Sequence, residues 1–321
     1  ITSCHYQDAG AMPLQAAAYF FADAITYIEH TLARGLSIDS FAPRLSSYHY
    51  THSDFFGEVA KYRAMRRLWA RMMKERFGAQ DPSSCMFRFG NPCGGSSLTA
   101  AQPKNNIVRV ALEALASILG GTQAIHTGAW DEAYAIPTQE SADLALKTQL
   151  ILAHEMGVTQ TVDPLGGSYY VEHLTNQAEA EIQQRLGKIE LLGGMVRAIE
   201  NGYIQREITD SAYERERQIQ RGEKVVVGVN RFANPAEEED FPLHAYDVRI
   251  PERQAERLRR IRQERSSDRV RRALDRLRQA AEGTENLMPY LIESVEAYAT
   301  LGEITRVFRE IFGEFREPVG I

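Results

Sequence analysis

Sulfur, excess positive charge and long apolar runs are all scarce in this sequence, and each scarcity removes a class of function. Cys4, Cys85 and Cys93 are the three cysteines in 321 residues, an odd number without CxxC spacing. That argues against a disulfide framework or a thiolate zinc site and reads as reduced thiols in a cytoplasmic protein. The formal net charge of -6 supplies no field that would gather nucleic acid or an anionic membrane surface. No apolar stretch reaches the roughly 18 residues of a membrane span, and no signal-peptide pattern is present. With 44% hydrophobic residues the chain has enough apolar side chains for a proper core. It opens on Ile1, and "ITSCHY" already reads as a strand. We therefore expect one piece of a larger polypeptide.

What is present alternates. The runs "ITSCHY", "FAPRLSSYHY", "CMFRFG" and "TQAIHT" read as strands ending near residues 5, 48, 89 and 126. Each leads into a pattern of helical period, over Leu14–Leu32, Phe55–Arg76, Ile107–Leu119 and Ser141–Met156. A spacing of about 40 residues is what a strand, a helix and two loops require. Four βα units predict a parallel sheet, either open and doubly wound or part of a (βα)8 barrel. The strands carry Ser3, His5, Arg44, Ser46, Ser47, His49, Arg88 and His126. Polar groups in successive strands favour a barrel with a ligand-holding interior over a sheet buried on both faces.

From about residue 157 the pattern changes. Helices are predicted over 172–187 and 189–200, a strand in "EKVVVGVNRF", and a linker in "ANPAEEEDFPLHAYDVRIP". One long helix follows over 251–281, then two shorter ones over 285–313. The expected domains are 1–170, 171–232 and 233–321. The long helix is rich in arginine, but Glu252, Glu256, Glu264, Asp268 and Asp275 are interleaved with it. Leu258, Ile261, Val270, Leu274 and Leu277 mark an apolar stripe, so a solvated helix laced with ion pairs, or one docking on a partner, is favoured over nucleic-acid binding.

Several side chains are suited to chemistry. His5 and His126 fall at predicted strand ends, where βα enzymes place working groups, although a satisfied core histidine is the alternative for either. Arg44 and Ser46 share a face if they lie on a strand, and would hold a phosphate or carboxylate, or else close a rim by ion pairing. Asp131 and Glu132 are loop neighbours, as compatible with a helix start as with a site. "RFGNPCGGSSLT" places three glycines and three hydroxyls where a buried strand should end.

Taken in order, "FAPRLS", "DFFGEVAKYRAMRRLWA", "NNIVRVALEALASILGGTQAIHTGAWDEAYAIPT", "VDPLGGSYYVEHLT", "VVVGVNRF" and "NLMPYLIESVEAYATLGEI" resemble one family over essentially the whole chain. It is similar to the large subunit of adenosylcobalamin-dependent acyl-CoA mutases, the methylmalonyl-CoA mutase family. The resemblance implies an α/β fold: the C-terminal half of a (βα)8 TIM barrel, four βα units, then a mostly helical C-terminal extension. It implies His5 as the catalytic group that hydrogen-bonds the thioester carbonyl, with Arg44, Ser46 and Arg88 binding substrate. Asp8, Asn91, Gly95, His126, Glu132 and Ala133 would face the cofactor, adenosylcobalamin. The family's cobalt-binding D-x-H-x-x-G motif does not occur here, so no metal ligand is assigned. The implied partners are an acyl-CoA, the N-terminal half of the barrel and a cobalamin-binding small subunit or domain in a hetero-oligomer. Where the family reads R-x-H-x-Q-T-x-G, this chain keeps Arg88 and Gly95 but has Gly90 and Pro92; its H-T-N reads His126–Thr127–Gly128. A degenerate homologue that keeps CoA binding or an assembly role is the alternative reading.

Overall fold

Three short strands, β1 (Ser47–Tyr48), β2 (Phe89–Cys93) and β3 (Ala124–Thr127), pair in parallel in the order β1-β2-β3 in a computed structural model that describes residues 1–233 and 241–317. Parallel neighbours need a long crossover. Here the crossovers carry the helices α4 (Phe55–Arg71) and α5 (Asn105–Gly120), with α1 (Cys4–Asp8), α2 (Pro13–Ala33) and α3 (Ile38–Phe41) before them. The register sets Tyr48 against Gly90, Gly90 against Ala124, and Pro92 against His126. Among the described residues, a single bridge, Thr2 to Tyr48, continues the sheet on the outer side of β1. After β3 come α6 (Gln139–His154), α7 (Tyr169–Leu191), α8 (Met195–Glu200) and α9 (Tyr203–Gln220). Most of the chain is helical and the sheet is small.

Alternation along the strands separates two faces. Ser47, His49, Thr51, Phe87, Phe89, Asn91 and Cys93 are buried. The core they join includes Phe20 and Phe21 of α2, Tyr62, Met65 and Trp69 of α4, and Ile182 of α7. The polar members of this set are satisfied within it. His49 Nδ1 lies 2.8 Å from Ser3 Oγ and its Nε2 2.8 Å from Ser47 Oγ. Full burial holds the imidazole well below its usual pKa, hence neutral. Thr51 Oγ1 lies 2.8 Å from Tyr62 Oη and 2.5 Å from Ser117 Oγ.

The structure corrects several expectations. "ITSCHY" is not a strand: Ser3 donates to the Tyr48 carbonyl (2.9 Å), and the chain then turns into α1, its first amide held by Thr2 Oγ1 (3.2 Å). His5 therefore rides on a helical turn. Arg44 ends a 3-10 turn, Ala42–Arg44, that Pro43 opens, so it and Ser46 do not share a strand face. Ser3, Ser47 and His49 belong to the packed core instead of a polar interior. "EKVVVGVNRF" is a turn organised by Asn230, whose Oδ1 accepts from Val226 N (2.7 Å) while Nδ2 donates to the Ile219 and Lys224 carbonyls (2.7 Å each). The helices expected over 172–187 and 189–200 are α7 and α8, broken instead at Gly193 and Gly194, both at φ +92, a conformation that favours glycine. Part of the expected linker, 234–240, lies outside the described residues.

The contacts divide the described chain into two units, one within Ile1–His244 and the other Ala245–Glu317. The second holds α10 (Ile250–Glu264), α11 (Ser267–Glu282), α12 (Met288–Glu296) and α13 (Leu301–Phe312). The single long helix expected over 251–281 is interrupted: Arg265 turns extended, and Ser266 Oγ caps α11 by accepting from Arg269 N. Arg265 is locked to Glu303 by two bonds (2.7 and 2.5 Å). Leu277, Ile304 and Val307 form the buried centre of this unit.

Phe20 is fully buried and meets the rings of Phe21, His49, Trp69 and Phe87 at centroid distances of 5.2, 4.7, 6.1 and 5.6 Å. Phe20→Ala is expected to lower unfolding free energy by about 3–5 kcal/mol, measured as a shift of the urea midpoint.

Candidate functional site

The strand positions between the buried ones point away from the helices: Ser46, Tyr48 and Tyr50; Arg88, Gly90 and Pro92; Ala124 and His126. This second face is open except at Gly90, which the Tyr48 ring covers. Ser46, Tyr48, Ala124 and His126 are exposed. The candidate residues divide between its two ends. Arg44, Ser46 and Arg88 lie where the strands begin. Arg88 folds back so that its guanidinium donates to the Ser83 carbonyl (2.8 Å), while Arg44 is exposed. His5, Asp8, Gly95, His126, Glu132 and Ala133 lie where the strands end. From Arg88 to Cys93 is five residues, roughly 17 Å of strand.

Side chains from four segments meet at the C-terminal end. Asp8 at the end of α1 is pushed above the usual carboxylate range by desolvation, and the Tyr50 hydroxyl and His5 oppose that shift. Glu132, in the turn after β3, is also raised by desolvation, opposed by His126 and reinforced by Asp131 and Asp8. Tyr50 follows β1; burial, with Asp8 nearby, pushes its phenol up to about 12. Asp8 is thus within electrostatic reach of His5, Tyr50 and Glu132, and Glu132 of His126. Neither the phenol nor the neighbouring Tyr48 stood out in the sequence; their signal is the i, i+2 spacing on the open face of β1. Asn91 does not join them. It is fully buried on the helix side, bonded to Ser117 Oγ (3.2 Å), because its place in β2 alternates with that of Gly90. Asp131 also turns inward, capping the start of α6 through Ser141 Oγ (2.7 Å). Cys93 is excluded as a nucleophile, since burial raises its thiol to about 12.

The glycines of "RFGNPCGGSSLT" answer to these neighbours. Gly94 and Gly95 have φ of +116 and +62, a region where side chains are strained. A Cβ on Gly95 would lie 2.8 Å from Tyr50 Cζ, and one on Gly90 would lie 3.2 Å from Tyr48 Cε1. On Gly128 it would meet Glu132 Oε2 at 2.5 Å and the Cys93 carbonyl at 3.0 Å. Beside this loop, Ser96–Thr99 form one wall of a cavity of about 860 Å³ whose apolar lining includes Val108, Leu112 and Val226.

The methylmalonyl-CoA mutase family profile matches residues 1–314. The chain belongs to the methylmalonyl-CoA mutase family. It is 45% identical over 318 residues to the 2-hydroxyisobutanoyl-CoA mutase large subunit of Aquincola tertiaricarbonis, covering 99% of this chain and 57% of that one. It is 43% identical to methylmalonyl-CoA mutase of Rhizobium meliloti (strain 1021), covering 98% and 44%. To the mitochondrial methylmalonyl-CoA mutase of Homo sapiens it is 38% identical, covering 98% and 42%. The chain thus spans about half the length of these relatives. The space beside Gly90 and Gly128 is taken by Tyr48 and Glu132.

Under this loop Glu113 of α5 is buried, with Ser53 Oγ donating to it (3.4 Å). Desolvation raises its carboxyl from 4.5 to about 8, while Ser97 and the Gly94 backbone oppose the shift. The unfolded chain therefore gives up this proton first, and stability falls as pH rises from about 4.5 to about 8. Glu113→Gln, which cannot ionise, is expected to flatten that fall, read from urea midpoints at about pH 5 and about pH 8.

Proposed function

We propose that this chain is the substrate-binding part of an adenosylcobalamin-dependent acyl-CoA mutase, an isomerase that rearranges a short branched acyl-CoA of the methylmalonyl/succinyl type. It would form the C-terminal half of a (βα)8 barrel and work with an N-terminal half and a cobalamin-binding subunit or domain. The observation that carries this reading is the family match along residues 1–314 combined with the meeting of His5, Asp8, His126 and Glu132 at one end of the open face. The relative in Aquincola tertiaricarbonis is named a large subunit, which favours a two-subunit enzyme.

The residues at the C-terminal end suit a large cofactor with a polar rim. Gly94, Gly95 and Gly128 add no side-chain bulk here, and the exposed Asp8, His126 and Glu132 stand at the same end. Positions 90 and 92 add no side-chain donor. When bound, the cofactor supplies the radical that starts the rearrangement; its cobalt ligand would come from another domain or subunit. The tasks of this chain are binding and orientation. His5 donates a hydrogen bond to the thioester carbonyl, stabilising charge on oxygen as the acyl fragment migrates. Arg44, at the opposite end, supplies a guanidinium for the phosphates of CoA, with Ser46 and Arg88 beside it. The imidazoles and carboxylates at this end would orient the reacting groups, and water would be excluded once the N-terminal half of the barrel and the cobalamin-binding part cover the open face.

Mixing the full-length polypeptide with its cobalamin-binding subunit, adenosylcobalamin and an acyl-CoA is expected to bleach the cobalt–carbon absorbance. Arg44→Ala should weaken CoA binding roughly tenfold or more, the worth of one charged hydrogen bond to phosphate, by calorimetry. Tight CoA binding with no change in the cobalamin spectrum would instead identify a non-catalytic homologue.

A further inference from the structure

The phenol of Tyr50 is unusually well fixed for a side chain at the rim of an open face. Its carbonyl accepts from two buried donors of α4, Lys61 Nζ (2.9 Å) and Tyr62 Oη (2.8 Å). Its ring stacks on His52 at 5.4 Å with an interplanar angle of 27°. The far edge lies against Gly95 so closely that no Cβ fits there. Its hydroxyl interacts with Asp8, and Glu132 stands close enough to act on it electrostatically. Backbone, ring and hydroxyl are each held, so the ring cannot swing aside without breaking several contacts.

We propose that Tyr50 is a specificity-determining residue: its ring occupies the C-terminal mouth of the open face and limits the bulk of the acyl group admitted there. This rests on the acyl-CoA reading given above. A thioester carbonyl held by His5 sets the acyl carbons beside Asp8, with which both His5 and Tyr50 interact. β2 and the loop after it offer Gly90, Pro92 and Gly95 across this surface, so the bulkiest side chain on that side is the Tyr50 ring that follows β1. Tyr48, half exposed over Gly90, continues the same wall toward the start of the strand.

Calorimetric titration of the full-length polypeptide with CoA, acetyl-CoA, isobutyryl-CoA and benzoyl-CoA tests this. The wild type should bind isobutyryl-CoA at least tenfold more tightly than benzoyl-CoA. Tyr50→Ala should bring the two within about threefold while leaving affinity for CoA itself unchanged. Tyr50→Phe keeps the volume and should keep the wild-type ranking. Tyr50→Leu, intermediate in size, should give an intermediate ratio and serves where the alanine variant does not fold. An unchanged ranking in both smaller variants, with CoA affinity intact, would overturn the assignment to Tyr50 alone. A wild type that binds none of the four would overturn the acyl-CoA reading itself, and this assignment with it.

Discussion

A buried ammonium group organises this molecule. Lys61 of α4 is about as inaccessible as the apolar residues around it, and its charge is met by the Glu58 carboxylate one turn earlier. Such a pair costs several kcal/mol per ion in lost hydration, so its geometry is tightly constrained. The remaining donor capacity goes to the Tyr50 carbonyl, where β1 gives way to its loop. The Tyr62 ring lies 4.5 Å from the same ammonium and its hydroxyl bonds the same carbonyl. One turn of α4 therefore fixes where the strand ends and which way the next side chains point. Desolvation raises the Glu58 carboxyl, the expected response of an acid drawn into the interior to meet a cation there.

A second clamp acts on the other flank of α4. Arg63 holds Asp163 at 2.9 and 3.2 Å, Glu172 at 2.6 Å and Thr175 at 2.8 Å. Asp163 itself sits at φ +46, and Gly166 and Gly167 follow it into α7. The stretch "VDPLGGSYYVEHLT" thus acts by docking α7 on α4, and the bond to Arg63 draws Glu172 down to about 2. Together the two clamps hold a helix pair against the sheet from which the open face is displayed.

Much of this was legible in the sequence, and the exceptions have physical causes. Helical periodicity located α2, α4 and α5, each of which buries one face, and also α6, although most apolar side chains of α6 are exposed. The family likeness was carried by segments spread along the chain, including those that build the clamps. Strand lengths were not legible: "ITSCHY" has the residues of a strand, but the backbone bonds it makes to Tyr48 stop after Ser3. The polar character of Ser3, Ser47 and His49 pointed to a ligand-lined interior. Those groups instead satisfy one another within an aromatic core, which a sequence reveals only when the partners, 46 and two residues apart, are known. Tyr50 was hidden for the opposite reason, since nothing about a lone tyrosine tells that three separate elements hold it.

The contact between Tyr48 and Gly90 couples two neighbouring strands. With the tyrosine ring packed over that glycine, any side chain at position 90 would crowd both the ring and Ala124. A larger residue is accommodated there only if the half-exposed Tyr48 ring gives way by a few tenths of an ångström. What position 90 of β2 can carry is therefore set by the rotamer of a residue on β1, so the two strands vary as a pair.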